Sequence, residues 1–226
     1  MCSNYTVKVS RLTLKSENPE LDLQMDEFNE RLHPGGLAPV VVLQNSKQKV
    51  TPMRFSMIPS WSKEPKVKFA THNARIESIT EKPAWRLPFQ SQHCHVPVTA
   101  FYESVYTGPF AGNVIKFTHI NDELLWSAGI FDFWKPQEPT ADPEQKDQGF
   151  FSFAILTREP SKFILDHGHD RTPIFVQGPQ KSKWLNSVNK NPGDIVRDLL
   201  SEAYHPELKV EIERPLKPGW EKRAAG

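Results

Sequence analysis

Apolar and polar positions alternate over short stretches along most of this chain. The runs VVVLQ (40–44), KVTPMRFSMI (49–58), CHVPVTAFY (94–102), NVIKFTH (113–119), ELLWSAGIF (123–131), FFSFAILT (150–157), TPIFVQ (172–177) and LKVEI (208–212) are rich in β-branched and aromatic residues. Turn formers bound them, which predicts strands. Helical spacing predicts three helices. In PELDLQMDEFNERL (19–32), Leu21, Met25, Phe28 and Leu32 share one face. PQKSKWL (179–185) opens on proline. DIVRDLLSEAY (194–204) aligns Ile195, Leu199 and Ala203 behind Asp194 as an N-cap. A fourth helix is expected from Ile79 to Trp85, interrupted by Pro83. The stretch 136–149 is polar and aperiodic, so it reads as a surface loop joining two hairpin strands. Residues 214–226 read as a flexible tail. The expected fold class is α+β: one domain over residues 1–226, with a mostly antiparallel, barrel-like β core flanked by a few helices.

Composition narrows the functional classes. Hydrophobic residues make up 38% and charged residues 24% of the 226, an ordinary globular balance. The formal net charge of +1 gives no bulk electrostatic pull on nucleic acid, so any such contact needs a local basic patch. Two cysteines cannot build a disulfide framework. There is no run of 18 apolar residues and no signal-peptide core, so the expectation is a cytoplasmic protein with no membrane partner. Motifs for nucleoside triphosphates, dinucleotides, serine hydrolases and zincins are missing, and no cofactor is expected.

Three stretches carry candidate chemistry. In THNARIES (71–78), Asn73 and Arg75 lie two apart, on one face of an extended segment, with Glu77 continuing that face. An amide beside a forked guanidinium suits a site that orients a polar group and grips an anion. In VPVTAFYES (96–104), an apolar run leads into Glu103, where burial favours the acid form used in general acid catalysis. LDHGHDRTPIFV (165–176) packs Asp166, His167, His169, Asp170 and Arg171 together, and His169 and Arg171 can face one cleft. HCH (93–95) lacks the second ligand pair that a zinc site needs. Cys94 therefore reads as a small core residue, His93 and His95 as surface or sheet residues, and no metal is expected. Finally, Cys2 follows the initiator methionine. Removal of Met1 would leave an α-amine and a thiol on adjacent carbons, each partly reactive near neutral pH.

Taken in order, Met1-Cys2, GGLAP (35–39), RFSMIPSW (54–61), NARIES (73–78), VPVTAFYE (96–103), SAGIFDFW (127–134) and HDRTP (169–173) resemble the SOS-response-associated peptidase family, whose members act on abasic sites in single-stranded DNA. The resemblance implies that Cys2 is the nucleophile, that Asn73 positions its amine or the sugar, and that Glu103 and His169 handle protons. It further implies that Arg75 and Arg171 grip phosphates flanking the lesion and that Trp61 stacks on a base. The implied activity is lyase-type Schiff-base chemistry ending in a covalent thiazolidine with DNA. The implied partner is abasic single-stranded DNA, bound by a monomer of bacterial or phage origin that is nucleoid-associated when on DNA. Two other readings stand beside it: a thiol peptidase using Cys2, and a non-catalytic binding module for DNA or protein.

Overall fold

The computed structural model describes residues 4–17, 21, 27–136 and 149–224. Its elements run β1 (Asn4–Ser10), α1 (Arg11–Glu17), β2 (Glu27–Leu32), β3 (Leu37–Gln44), β4 (Lys47–Phe55), β5 (Asn73–Arg75), a 3-10 turn (Ile76–Ser78) and α2 (Arg86–Ser91). They continue with β6 (His93–Val98), β7 (Ala100–Val105), β8 (Asn113–His119), β9 (Leu125–Trp134), β10 (Phe150–Arg158), α3 (Lys162–Asp166) and β11 (Thr172–Pro173). The chain ends with α4 (Pro179–Leu185), α5 (Pro192–Ser201), β12 (Leu208–Pro215) and α6 (Glu221–Ala224). No helix among the described residues is long and apolar enough to cross a membrane.

Two sheets make the α+β core. One has the order β12-β8-β7-β1-β2. In the other, β10, β4, β3, β6 and β9 close on themselves through the β10–β9 pairing, with β5 and β11 added to β10. Pairing is antiparallel except where β10 meets β4 and β5. The apolar faces of both sheets meet in a single core. Tyr5 of β1 sits edge-on to Phe55 of β4 at 5.0 Å, and Phe55 packs on Phe153 of β10 at 5.4 Å. Phe101, Phe117 and Phe175 continue this layer, all 2% exposed or less. Each such ring contributes about 1.5–3 kcal/mol by burial.

Several expectations need correction. The predicted helix over 19–32 is not formed at its C-terminal half, where residues 27–32 are β2 and pair with β1. Residues 19–20 and 22–26 of that prediction lie outside the described set. A four-residue spacing is shared by a helix face and a strand face, so Phe28 and Leu32 satisfy both. Register then decides: they oppose Val9 and Tyr5. The run 94–102 is two strands in different sheets, broken at Thr99, whose N–H and hydroxyl both donate to the Thr6 carbonyl at 2.9 Å. Residues 79–85 form turns, and the helix starts at Arg86 instead. Pro88 fits there because first-turn N–H groups have no helical acceptor. α5 is capped by Asn191, whose side chain accepts from Gly193 and Asp194 N–H groups, with Pro192 at its first turn. The stretch 172–177 is a strand only at Thr172–Pro173.

Of the two placements expected for His93 and His95, surface or sheet, they take the sheet: both lie in β6 and are buried, because β6 is covered on both faces. His93 stacks on Trp184 at 3.7 Å and its ring nitrogens meet the Phe89 and Trp184 carbonyls. The stretch 214–226 does not begin as a tail, since β12 pairs with β8 as far as Pro215 and the Trp220 indole packs over Gly112. Residues 137–148 of the expected loop lie outside the described set. β9 and β10, on either side of it, form an antiparallel pair starting at Trp134 and Phe150.

Candidate active site

Strand alternation decides where Glu103 points. In β7, Phe101 and Val105 face the core, so Glu103 between them is turned to the same side and is 2% exposed. A lone carboxylate there would be costly to bury. Its Oε2 lies 2.8 Å from Nε2 of His169, itself 7% exposed.

The end of a short helix holds His169. α3 is capped by Ser161, whose hydroxyl accepts from Ile164 N–H. At its other end Gly168 adopts φ +83°. The Gly168 N–H donates to the Leu165 carbonyl at 2.9 Å and the His169 N–H to the Ile164 carbonyl at 3.3 Å. This is a Schellman stop, with glycine in the left-handed position and His169 directly after it. A side chain at Gly168 would meet the Thr107 carbonyl and Val105 Cγ1 at 2.6 Å, so the loop lies hard against the end of β7.

On the other ring nitrogen, Nδ1 of His169 lies 3.2 Å from the Arg171 N–H and 3.0 Å from the Arg171 carbonyl oxygen. A neutral ring donates to Glu103 and accepts from Arg171 N–H. An imidazolium donates to Glu103 and to the Arg171 carbonyl. In either protonation state both ring nitrogens of His169 have a partner, as a group that exchanges protons needs.

Arg171 extends the chain of contacts. It is 7% exposed, and its two terminal nitrogens bind Glu77 at 3.0 and 2.8 Å, one of them also donating to the Thr157 carbonyl at 2.9 Å. Burial works against the Glu77 charge, but hydrogen bonds and charge from Arg171 outweigh it and hold the Glu77 pKa below its ordinary value. β10 explains why two distant motifs meet. β4 leaves it at Ser56, in a left-handed conformation, and β5 takes over in parallel, setting Arg75 opposite Thr157. β9 leaves its other edge, and β11 sets Pro173 opposite the same Thr157.

Two cavities flank this framework. A cleft of about 470 Å³ is lined by Asn4, Tyr102, Glu103, Tyr106, His169 and Arg214, among others. A groove of about 480 Å³ is lined by Trp61, Phe69, Asn73, Arg75, Lys82 and Trp85, among others. Trp61 and Phe69 are about half exposed, at 49% and 52%. Half-exposed aromatic rings beside Arg75 suit a base stacked next to a phosphate. His72 lies between β4 and β5, with its ring 5.9 Å from Phe55. Burial lowers its pKa, and the Glu103 charge pulls the other way.

The expected site residues thus fall in two linked groups, Glu103 with His169 and Trp61 with Asn73 and Arg75. Arg171 is buried between them and held by Glu77. Cys2 lies outside the described residues. Asn4, two positions on, opposes Tyr102 in the β1–β7 ladder and lines the same cleft as Glu103 and His169. No motif in the sequence singles out Phe69, His72 or Arg214 as site residues. Gly168 was the available signal for the loop, as a glycine one residue past a helix end.

The model of the family described as SOS response associated peptidase (SRAP) matches residues 1–213. The abasic site processing protein YoqW of Bacillus subtilis (strain 168) is 28% identical over 225 residues, covering 92% of this chain and 96% of the relative. The abasic site processing protein HMCES of Xenopus tropicalis is 27% identical over 193 residues, covering 74% of this chain and 54% of the relative. A crystal structure of a protein from Bordetella bronchiseptica shares the fold, with a TM-score of 0.72 at 19% identity, covering 96% of this chain and 100% of that one.

Proposed function

Since the chain belongs to the SOS response associated peptidase (SRAP) family, we propose that it recognises abasic sites in single-stranded DNA and links to them covalently through Cys2 once Met1 is removed. Relatives named as abasic site processing proteins support the abasic site as the target.

Chemistry follows from the groups at hand. An abasic sugar interconverts between a closed hemiacetal and an open aldehyde. Glu103, hydrogen-bonded to His169, delivers a proton to the ring oxygen as the anomeric hydroxyl gives up its own; the ring C–O bond breaks, the C=O bond forms, and the sugar opens with no net change in protons. The Cys2 amine attacks the aldehyde carbon and one water leaves, giving an imine. The Cys2 thiol then adds across the C=N bond, sulfur to carbon and proton to nitrogen, closing a five-membered thiazolidine. The second attack is intramolecular and gains the effective concentration of a tethered nucleophile. Asn73 orients the amine or the sugar, Arg75 holds a flanking phosphate, and Trp61 stacks on a neighbouring base. Arg171, expected as a second phosphate ligand, has its terminal nitrogens committed to Glu77 and Thr157, and we assign it to bracing the His169 loop.

The observation that carries this reading is the shared cleft of Asn4, Glu103 and His169. Two peptide units tie Cys2 to Asn4, a reach of about 7 Å. That Asn4 lines the cleft of the buried carboxyl–imidazole pair supports a nucleophile two residues before it.

The test is a denaturing gel of the purified protein mixed with a single-stranded oligonucleotide carrying one abasic site. A shifted band is expected with the wild type and none with Cys2→Ala. No shift from a wild type whose mass shows that Met1 is gone overturns the proposal.

A further inference from the structure

β12 carries an irregularity beside the cleft. Its register with β8 is regular from Leu208 to Ile212, then skips one residue, so that Arg214 rather than Glu213 opposes Val114. In the uninterrupted register Glu213 would stand there and present a carboxylate to the cleft. The extra residue re-aims the strand, as bulges do. Glu213 instead reaches Arg31 of β2, 2.6 Å away, and the Arg31 guanidinium lies 3.7 Å above the Tyr102 ring. Val114 in turn opposes Ser104, the residue after Glu103. Arg214 is therefore two inter-strand steps from Ser104, about 10 Å at the backbone, and with Ser104 and Val114 it is among the residues lining the cleft that Glu103 and His169 also line.

Among the described lining residues, Arg214 is the one permanent cation. Its neighbours are engaged: Arg31 with Glu213, and Lys116 with Glu211 at 3.6 Å. Among the described residues no carboxylate lies within ion-pair distance of Arg214, and its hydrogen bond is to the adjacent Pro215 carbonyl at 3.3 Å. It is exposed, beside the hydroxyl-bearing side chains of Ser104, Tyr106 and Thr107. We infer that the β12 bulge presents Arg214 as a phosphate-binding residue, gripping a phosphodiester of the strand that enters the Glu103–His169 cleft. This rests on the proposed abasic-DNA reading and adds a contact to it. The groove of Trp61 and Arg75 takes one part of the strand, and Arg214 holds a phosphate on the Glu103 side. A net charge of +1 gives an anionic backbone no bulk pull, so a cation placed at the reaction cleft sets where the sugar sits.

The experiment measures binding of a fluorescent single-stranded oligonucleotide with a tetrahydrofuran abasic analogue, which has no aldehyde to crosslink, against salt concentration. Arg214→Gln should flatten the slope of log affinity against log salt by about 0.7, one phosphate contact on a single strand. The drop in affinity between 50 and 200 mM salt then shrinks by about 2.6-fold relative to wild type. Arg214→Lys should restore most of the slope. Lys217→Gln, an equal charge change outside the cleft, should leave it unchanged. Methylphosphonates placed singly around the lesion should reveal one position that weakens the wild type but not Arg214→Gln. Equal slopes for wild type and Arg214→Gln, in a wild type that crosslinks a true abasic oligonucleotide, overturn the inference alone. A wild type that neither binds the analogue nor crosslinks overturns the function as well.

Discussion

Gly168→Ala tests whether the proton-handling pair depends on a helix stop. The perturbation adds one methyl group at a residue with φ +83°, where that methyl meets the Thr107 carbonyl and Val105 Cγ1 at 2.6 Å. Two costs add. The left-handed conformation costs an alanine about 1–2 kcal/mol, and forcing a methyl into a filled site costs about 1–3 kcal/mol. The sum is about 2–5 kcal/mol. A chain of this length loses roughly 3 °C of melting temperature per kcal/mol, so Tm should fall by roughly 6–15 °C. Relief of the contact requires a shift of about 0.8 Å, from 2.6 Å to the 3.4 Å of ordinary contact. Since β7 is held on both edges by β1 and β8, the α3–His169 loop is the part that gives way. His169 then moves off Glu103, and a misplacement of about 1 Å costs on the order of 100-fold in rate. Calorimetry and single-turnover crosslinking at 25 °C read the two effects. Gly178→Ala is the control. It has φ +53° and ψ −133° with nothing within 4 Å of the added methyl, so it should lose about 1–3 kcal/mol through backbone strain alone and keep its rate. A Gly168→Ala protein with wild-type Tm and rate would refute the reasoning. So would a rate loss of the same size in Gly178→Ala.

Glu103→Gln keeps the shape of the buried side chain but removes its proton chemistry. Crosslinking should slow by about 10²–10⁴-fold while binding of a tetrahydrofuran oligonucleotide stays within about twofold, checked by single-turnover gels and anisotropy. His95 supplies a pH test remote from the cleft. Burial, aided by the Lys181 charge, pushes its pKa down to about 3. Between that value and about 6.5 the unfolded chain binds the extra proton, so stability falls with falling pH at about 1.4 kcal/mol per unit for this one group. His95→Phe should flatten urea-derived stability from pH 6 to 4 by about that slope. His93, also lowered by burial, keeps its own share.

The residue order alone was enough to mark most strands of both sheets, because alternation and β-branched runs are local. It also flagged the candidate side chains Glu103, His169, Asn73 and Arg75, while Trp61 came with the family resemblance. It was misleading wherever two periods coincide. Phe28 and Leu32 suit a helix or a strand equally, and only pairing with β1 makes them strand. Nor does any local pattern tell that CHVPVTAFY changes sheets at Thr99, since that break depends on a bond to Thr6, 93 positions away. The site itself is a product of packing. Glu103 and His169 are 66 positions apart, and they meet because strand alternation turns one inward while a Schellman stop seats the other against β7. Arg171 faces Glu77 because β5 and β11 both close on β10 at Thr157. Arg214 enters the cleft through a one-residue slip in β12. Residue types and short-range periods are written in the chain. Register, sheet exchange and bulges are settled by partners remote in sequence, and those decide which of the written residues share a cleft.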